Sequence, residues 1–176
     1  AGMAGIAVAR SVVLIKDNFH SPDEVAANLK FPVFVKPNNG GSSIGMSKVN
    51  QADELEEALD KAFKEDDQVL VEEFIKGREF TIGVFRRAGK IITLPFTEVI
   101  TENEFFDYQA KYEGKSREVT PAECTEEMAD QIRSTATSVY EIFNCRGIVR
   151  MDFIYMEKQQ APYLLEINTV PGQSEA

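Results

Sequence analysis

Three oxygen-bearing side chains, Asp152, Glu166 and Asn168, carry the strongest chemical signal in this chain of 176 residues. They lie in two strand-like runs, residues 147–156 and 163–170, joined by Glu157-Lys158-Gln159-Gln160-Ala161-Pro162. An antiparallel hairpin centred near Gln159 sets Asp152 opposite Glu166 and Arg150 opposite Asn168. Side chains alternate along a strand, so these four share one face. Val149, Met151, Phe153, Leu165 and Ile167 share the other, expected to be core. Carboxylates placed directly across a sheet repel each other. Such an arrangement suits a cation between them, and an all-oxygen set suits a hard divalent ion such as magnesium, which also takes phosphate oxygens and water. Zinc is disfavoured, because no Cys or His is near and the one histidine is His20. The competing reading is a solvated polar strand face with an Arg–Asp pair.

A second group is Lys36-Pro37-Asn38-Asn39-Gly40-Gly41-Ser42-Ser43-Ile44-Gly45. Lys36 stands at a strand end, the glycines let backbone N–H groups turn to a ligand, and the hydroxyls add donors. Together they make an anion-binding concavity. The Gly-Lys-Ser/Thr order of a P-loop is absent. An ordinary flexible hairpin turn fits equally well. Further on, Val69-Leu70-Val71-Glu72-Glu73-Phe74-Ile75 precedes Lys76-Gly77-Arg78-Glu79-Phe80. Such a strand end could read a nucleobase edge through its backbone, with Glu79 accepting from ribose hydroxyls, or it is an edge strand with solvated glutamates. In Phe106-Asp107-Tyr108-Gln109-Ala110-Lys111-Tyr112 a lysine stands beside a phenol. A lysine closing over a triphosphate would stabilise charge at a transferred phosphoryl group; the alternative is an exposed surface loop.

The elements that must position these groups mix strands and helices. Strands are expected over residues 12–15, 31–36, 43–49 and 68–74, and two more within 79–100, turned at Ala88-Gly89-Lys90. Ser21-Pro22-Asp23-Glu24 opens a helix with a capping box. Residues 50–53 cap a second helix, whose apolar stripe is Leu55, Ala58, Leu59, Ala62 and Phe63. Met128, Ile132, Ala136, Val139, Tyr140 and Phe143 mark one long amphipathic helix. Residues 101–117 show no period and read as a long loop of the kind that often forms a lid. Short connections and tight hairpins predict mostly antiparallel sheets with helices on one side, an α+β class. A lobe boundary falls near Ile75-Lys76-Gly77.

A formal net charge of -10 argues against nucleic acid, which needs cationic surface. Apolar runs are strand-sized, and there is no charged-then-apolar leader, so neither membrane insertion nor secretion is expected. Cys124 and Cys145 are far apart and fit reduced thiols in a cytosolic protein. The chain starts at Ala1 and stops at Ser174-Glu175-Ala176, and it is expected to be a piece of a longer protein.

The order of these groups resembles the D-alanine–D-alanine ligases of the ATP-grasp superfamily. The most specific parts are Lys36-Pro37 with Gly41-Ser42-Ser43-Ile44-Gly45-Met46, then Glu79-Phe80-Thr81, then Glu166-Ile167-Asn168-Thr169-Val170-Pro171-Gly172. The resemblance implies two ATP-grasp lobes, residues 1–76 and 77–176, holding a nucleotide between them, with residues 101–118 as a mobile loop. It implies that Lys36 contacts the nucleotide phosphates and that Ser43, Met46 and neighbouring amides belong to the cover over them. Glu72, Glu73, Phe74 and Ile75 would hold adenine, and Glu79 the ribose. Ser42 and Tyr112 would form a closing pair, and Lys111 would reach the transferred phosphate. Asp152, Glu166 and Asn168 would bind two magnesium ions, with manganese able to substitute and Glu166 bridging. Arg150 would stabilise the acyl phosphate and the tetrahedral intermediate, and the Gly172 amide would fix the second D-alanine.

By the family's mechanism ATP phosphorylates one D-alanine, and the amine of a second attacks, giving the dipeptide for peptidoglycan in the cytoplasm. The partners are then ATP and D-alanine, with neither nucleic acid nor membrane. A homodimer is implied for the full-length protein and a monomer for this piece. The family's N-terminal domain and a serine beyond Ala176 are not visible, so the piece is expected to bind magnesium-ATP weakly and make no dipeptide alone. The rivals are another ATP-grasp carboxylate ligase, such as a D-alanine–D-lactate ligase, a non-catalytic nucleotide-binding module, and an acidic interaction domain.

Overall fold

The computed structural model describes residues 1–18, 21–39, 43–101 and 116–172. Three α-helices, two short 3-10 turns and ten strands make up this part of the chain. The α-helices and strands are β1 (Ser11–Ile15), α1 (Pro22–Asn28), β2 (Val33–Pro37), β3 (Ser47–Val49), α2 (Leu55–Ala62), β4 (Gln68–Glu73), β5 (Arg78–Arg87), β6 (Lys90–Thr93), β7 (Thr97–Thr101), β8 (Ser116–Val119), α3 (Glu126–Ile142), β9 (Ile148–Met156) and β10 (Ala161–Asn168). Every strand pairing among the described residues is antiparallel, which makes the class α+β. The described residues form two compact units, one of residues 9–75 and one of residues 1–8, 76–101 and 116–172.

The first unit is a four-stranded sheet in the order β1-β4-β2-β3. Alternation in β2 and β4 sends Val33, Val35, Val69 and Val71 to one face, where they are almost fully buried. The apolar stripe of α2, Leu55, Ala58, Leu59 and Ala62, packs there with Phe63, Val25 and Leu29. Burying each such aliphatic side chain contributes about 1.5–3 kcal/mol. Ser21 caps α1, its hydroxyl accepting from the Glu24 amide at 3.4 Å. The second helix starts differently from the expected cap. A 3-10 turn at Ala52–Glu54 leads into Leu55, and the Asn50 amide donates to the Glu54 carboxylate at 2.8 Å. The return strand covers Ser47–Val49 rather than starting at residue 43, because Ser43 (φ 59) and Gly45 (φ 73) are both left-handed.

The second unit is a six-stranded sheet in which β10, β9, β5, β7 and β8 lie side by side and β6 pairs with β5. Between residues 79 and 100 there are three strands rather than two, since Pro95 interrupts the return arm between β6 and β7. Residues 116 and 117 belong to β8 and not to the expected loop; the rest of that loop, from residue 102 to 115, lies outside the described residues. Phe80, Ile82, Val84, Val149, Met151 and Phe153 form the buried face against Met128, Ile132, Ala136, Val139 and Tyr140 of α3. Thr125 caps α3, and the buried Tyr140 donates its hydroxyl to the Gly147 carbonyl at 2.8 Å. Phe143 follows the helix as its C-cap and is exposed. Residues 1–8 join this unit: Ile6 is in its core and the Ala7 carbonyl accepts from the Leu164 amide at 2.9 Å.

Two details set the strands that matter most. Gly77, just before β5, has no room for a side chain, since a Cβ there would run into the Tyr155 carbonyl and the Ile154 side chain. In β10 a bulge lies between Leu164 and Glu166. Before it, Leu164 faces Phe153 and is buried; after it, Glu166 faces Asp152. Leu165 is the extra residue, so Leu164 takes the core position expected for Leu165, and Ile167 is partly buried against the same core.

Candidate functional site

The face of the six-stranded sheet opposite α3 gathers most of the chemistry. Register places Thr81 beside Asp152 and Asp152 beside Glu166 in one row across β5, β9 and β10. The next row holds Gly83, Arg150 and Asn168. On the other side of the first row Glu79 lies between Val99 and Ile154. The pairing of Asp152 with Glu166 and of Arg150 with Asn168 therefore agrees with strand alternation, and the bulge is what preserves it.

Hydrogen bonds bind this face together. Asp152 Oδ1 accepts from Thr81 Oγ1 at 2.6 Å and from Arg150 Nε at 3.1 Å, while Oδ2 accepts from Arg150 Nη2 at 3.0 Å. Burial works against the Arg150 charge, but the bonds and charge of Asp152, aided by Glu166 and Glu118, outweigh it and hold the guanidinium above its ordinary value. Part of the repulsion between the facing carboxylates is thus met by Arg150 and Thr81. Glu166 is exposed, and Asn168 Oδ1 accepts from the Val170 amide at 3.2 Å. Glu79 is half-buried. Loss of solvation, and then the charge of Asp152, push its carboxyl up to about 7. Gly172 lies exposed beyond β10.

Among the described residues no three His, Cys, Asp or Glu side chains form a metal-holding group. Asp152, Glu166 and Asn168 still fit a hard cation in kind. All are oxygen donors on one face, and Glu166 together with the second lone pair of Asn168 Oδ1 is open. Asp152 is largely taken up by Arg150 and Thr81. The set is therefore a partial shell that water or phosphate oxygens would have to complete, as is usual for magnesium.

The four-stranded sheet holds the second set. Lys36 Nζ donates to Glu72 Oε1 at 2.5 Å, so two residues expected to contact a nucleotide pair with each other here. Glu73 Oε1 accepts from the Lys30 amide at 2.8 Å. The strand carrying both glutamates, β4, lies between β1 and β2 and is not an edge. Phe74 packs edge-on against Phe34 with centroids 5.7 Å apart, under Lys48 Nζ at 4.8 Å, and Ile75 is buried. Ser43 keeps its left-handed backbone with the Met46 amide donating to its carbonyl at 3.3 Å, and Met46 is half-buried. A strained non-glycine residue in a loop is a frequent companion of ligand contact. Ser42, Lys111 and Tyr112 lie outside the described residues.

Thr81 is the member of the site whose role the sequence did not reveal. Its position two residues after Glu79 in a strand was the available sign, because alternation puts both on one face.

Comparison with known proteins adds the following. Residues 2–176 match the family model described as the D-ala D-ala ligase C-terminus. The D-alanine--D-alanine ligase of Phocaeicola vulgatus is 44% identical over 170 residues, 97% of this chain and 52% of that protein. The crystal structure of the VanG D-Ala:D-Ser ligase from Enterococcus faecalis superposes with a TM-score of 0.84 at 34% identity, over 97% of this chain and 50% of that one. A D-alanine--D-alanine ligase from Bacillus anthracis complexed with ATP gives a TM-score of 0.78 at 30% identity, over 97% and 52%. The chain spans about half the length of the curated relatives it matches.

Proposed function

The chain belongs to the D-ala D-ala ligase C-terminal family, with the ATP-grasp fold, and on that premise we propose that it is the ATP-binding portion of an enzyme that joins two D-alanines. In this reading ATP transfers its γ-phosphoryl group to the carboxylate of the first D-alanine, leaving ADP and an acyl phosphate. The amine of the second D-alanine attacks the acyl carbon, the C–O bond to phosphate breaks, and the amine gives up a proton. The product is D-alanyl-D-alanine for peptidoglycan, made in the cytoplasm. Among the described residues no helix is long and apolar enough to cross a membrane.

The observation that carries the reading is the open face shared by Thr81, Arg150, Asp152, Glu166 and Asn168. Bound magnesium, or manganese in its place, would neutralise phosphate charge. Asp152, Glu166 and Asn168 would hold it. Arg150, kept charged and aimed by Asp152, would stabilise negative charge on the acyl phosphate and the tetrahedral intermediate. Lys36 would exchange Glu72 for a phosphate oxygen, freeing Glu72 to join Glu73, Phe74 and Ile75 around adenine. Ser43 and Met46 would belong to the phosphate cover and Glu79 would take the ribose. Lys111, Ser42, Tyr112 and the Gly172 amide complete the proposal as the phosphate lysine, the closing pair and the second-substrate contact. Positioning and charge neutralisation would supply most of the rate. The full-length protein would be a homodimer.

Calorimetry of ATP binding to the full-length protein, with and without magnesium, tests this. Binding should be magnesium-dependent, and a joint Asp152→Asn and Glu166→Gln change should abolish that dependence. Equal ATP binding with and without magnesium in the unaltered protein would overturn it. The likeness to a D-Ala:D-Ser ligase favours one second reading, in which the second substrate is another D-amino acid. Competition of D-alanine against D-serine and D-lactate in turnover separates these.

A further inference from the structure

Glu79 has no hydrogen-bond donor and no ion-pair partner of its own among the described residues. Its neighbours across the sheet are the apolar Val99 and Ile154, and Asp152 repels it. Its place is therefore set by its backbone, the second residue of β5, two residues after Gly77. Strand ends open more readily than strand centres, so this position needs an anchor.

Arg78 supplies one on the opposite face. Its Nε and Nη2 donate to the two oxygens of Glu98, each at 2.7 Å. Nη2 also donates to the Glu123 carbonyl at 2.6 Å, and Nη1 approaches Met128 Sδ at 3.7 Å. The guanidinium stands 5.1 Å from the centroid of Phe80. Glu98 is the buried charged residue among those described. The fork thus ties the first residue of β5 to β7, to the segment before α3 and to α3 itself. A planar five-donor group can make this set of contacts, whereas an ammonium has three donors and no fork.

We propose that Arg78 is a positioning residue: its clamp on Glu98 holds the first residues of β5 in register and so aims Glu79 at the ribose hydroxyls of the nucleotide. The inference rests on the reading of Glu79 given under the proposed function. A purely structural ion pair would affect all nucleotides alike, and this difference makes the two separable.

The test is steady-state kinetics of the full-length enzyme with ATP and with 2′,3′-dideoxy-ATP, which lacks the hydroxyls. Two hydrogen bonds to a carboxylate should give ATP a KM lower by about tenfold or more. Glu79→Gln should erase most of that preference by raising the KM for ATP alone. Arg78→Gln and Glu98→Gln should act in the same direction, raising the KM for ATP about three- to tenfold with kcat and the dideoxy KM nearly unchanged. Arg78→Lys should recover part of the preference. If Arg78→Gln fails to fold, Arg78→Lys and Glu98→Gln carry the comparison. Retention of the full preference in Glu98→Gln, or an equal rise in both KM values, overturns the proposal while leaving the role of Glu79 intact. Retention of the preference in Glu79→Gln overturns the ribose reading itself.

Discussion

Replacing Glu79 with glutamine should remove a specific slope from the pH dependence of stability. In the folded chain, burial and then the charge of Asp152 raise this carboxyl from 4.5 to about 7. Between those values the native state keeps a proton that the unfolded state has released. Stability contributed by Glu79 is therefore highest below pH 4.5, falls as the pH rises, and reaches its lowest level above about 7, where a carboxylate must be held half-buried. Each pK unit is worth about 1.4 kcal/mol, so the separation corresponds to roughly 3 kcal/mol. The E79Q chain has nothing to titrate there. It should match the unaltered chain near pH 4.5 and exceed it by up to about 3 kcal/mol near pH 8. Urea unfolding of both proteins over this range, followed by circular dichroism with a chelator present, measures the difference. Contributions from carboxylates remote from Glu79 cancel in that difference. A gap that stays constant with pH, or that widens toward acid, would refute the assignment of a raised carboxyl to Glu79.

Two further changes probe the same sheet. Thr81→Val removes the 2.6 Å bond to Asp152 and should lower unfolding stability by about 1–3 kcal/mol, with Thr81→Ser restoring much of it, as read from urea midpoints. Gly77→Ala forces a Cβ against the Tyr155 carbonyl and the Ile154 side chain, and should cost about 1–3 kcal/mol in thermal or urea denaturation. An unchanged midpoint in either case would mean that the contact concerned is not a constraint.

Most elements were legible because their causes are local. The stripe of α2 and the alternation in β2, β4 and β9 are written in residue spacing, and the core follows them closely. The misjudged places have causes at long range or in backbone shape. Pro95 divided a run that looked like one strand, Ser43 adopts a left-handed conformation that its residue type does not announce, and the end of α3 leaves Phe143 exposed. The bulge at Leu165 could not be read from alternation, which assumes an unbroken ladder. Thr81 and Arg78 were passed over for the same kind of reason: their partners, Asp152 and Glu98, are 71 and 20 residues away.

By itself the sequence determined the α+β class, the order of the chemical groups along the chain, and, through strand parity and a hairpin centred near Gln159, the pairing of Asp152 with Glu166 and of Arg150 with Asn168 on one face. Strand periodicity is a local property, so a single chain suffices to read it. The tertiary structure alone decided that a bulge at Leu165 keeps this register, that Arg150 and Thr81 already hold Asp152, that Lys36 rests on Glu72, and that Arg78, pointing away from Glu79, is clamped to Glu98. Those are pairings between distant segments, fixed by which strands lie side by side and by how burial weighs one charge against another, and residue spacing carries no record of either.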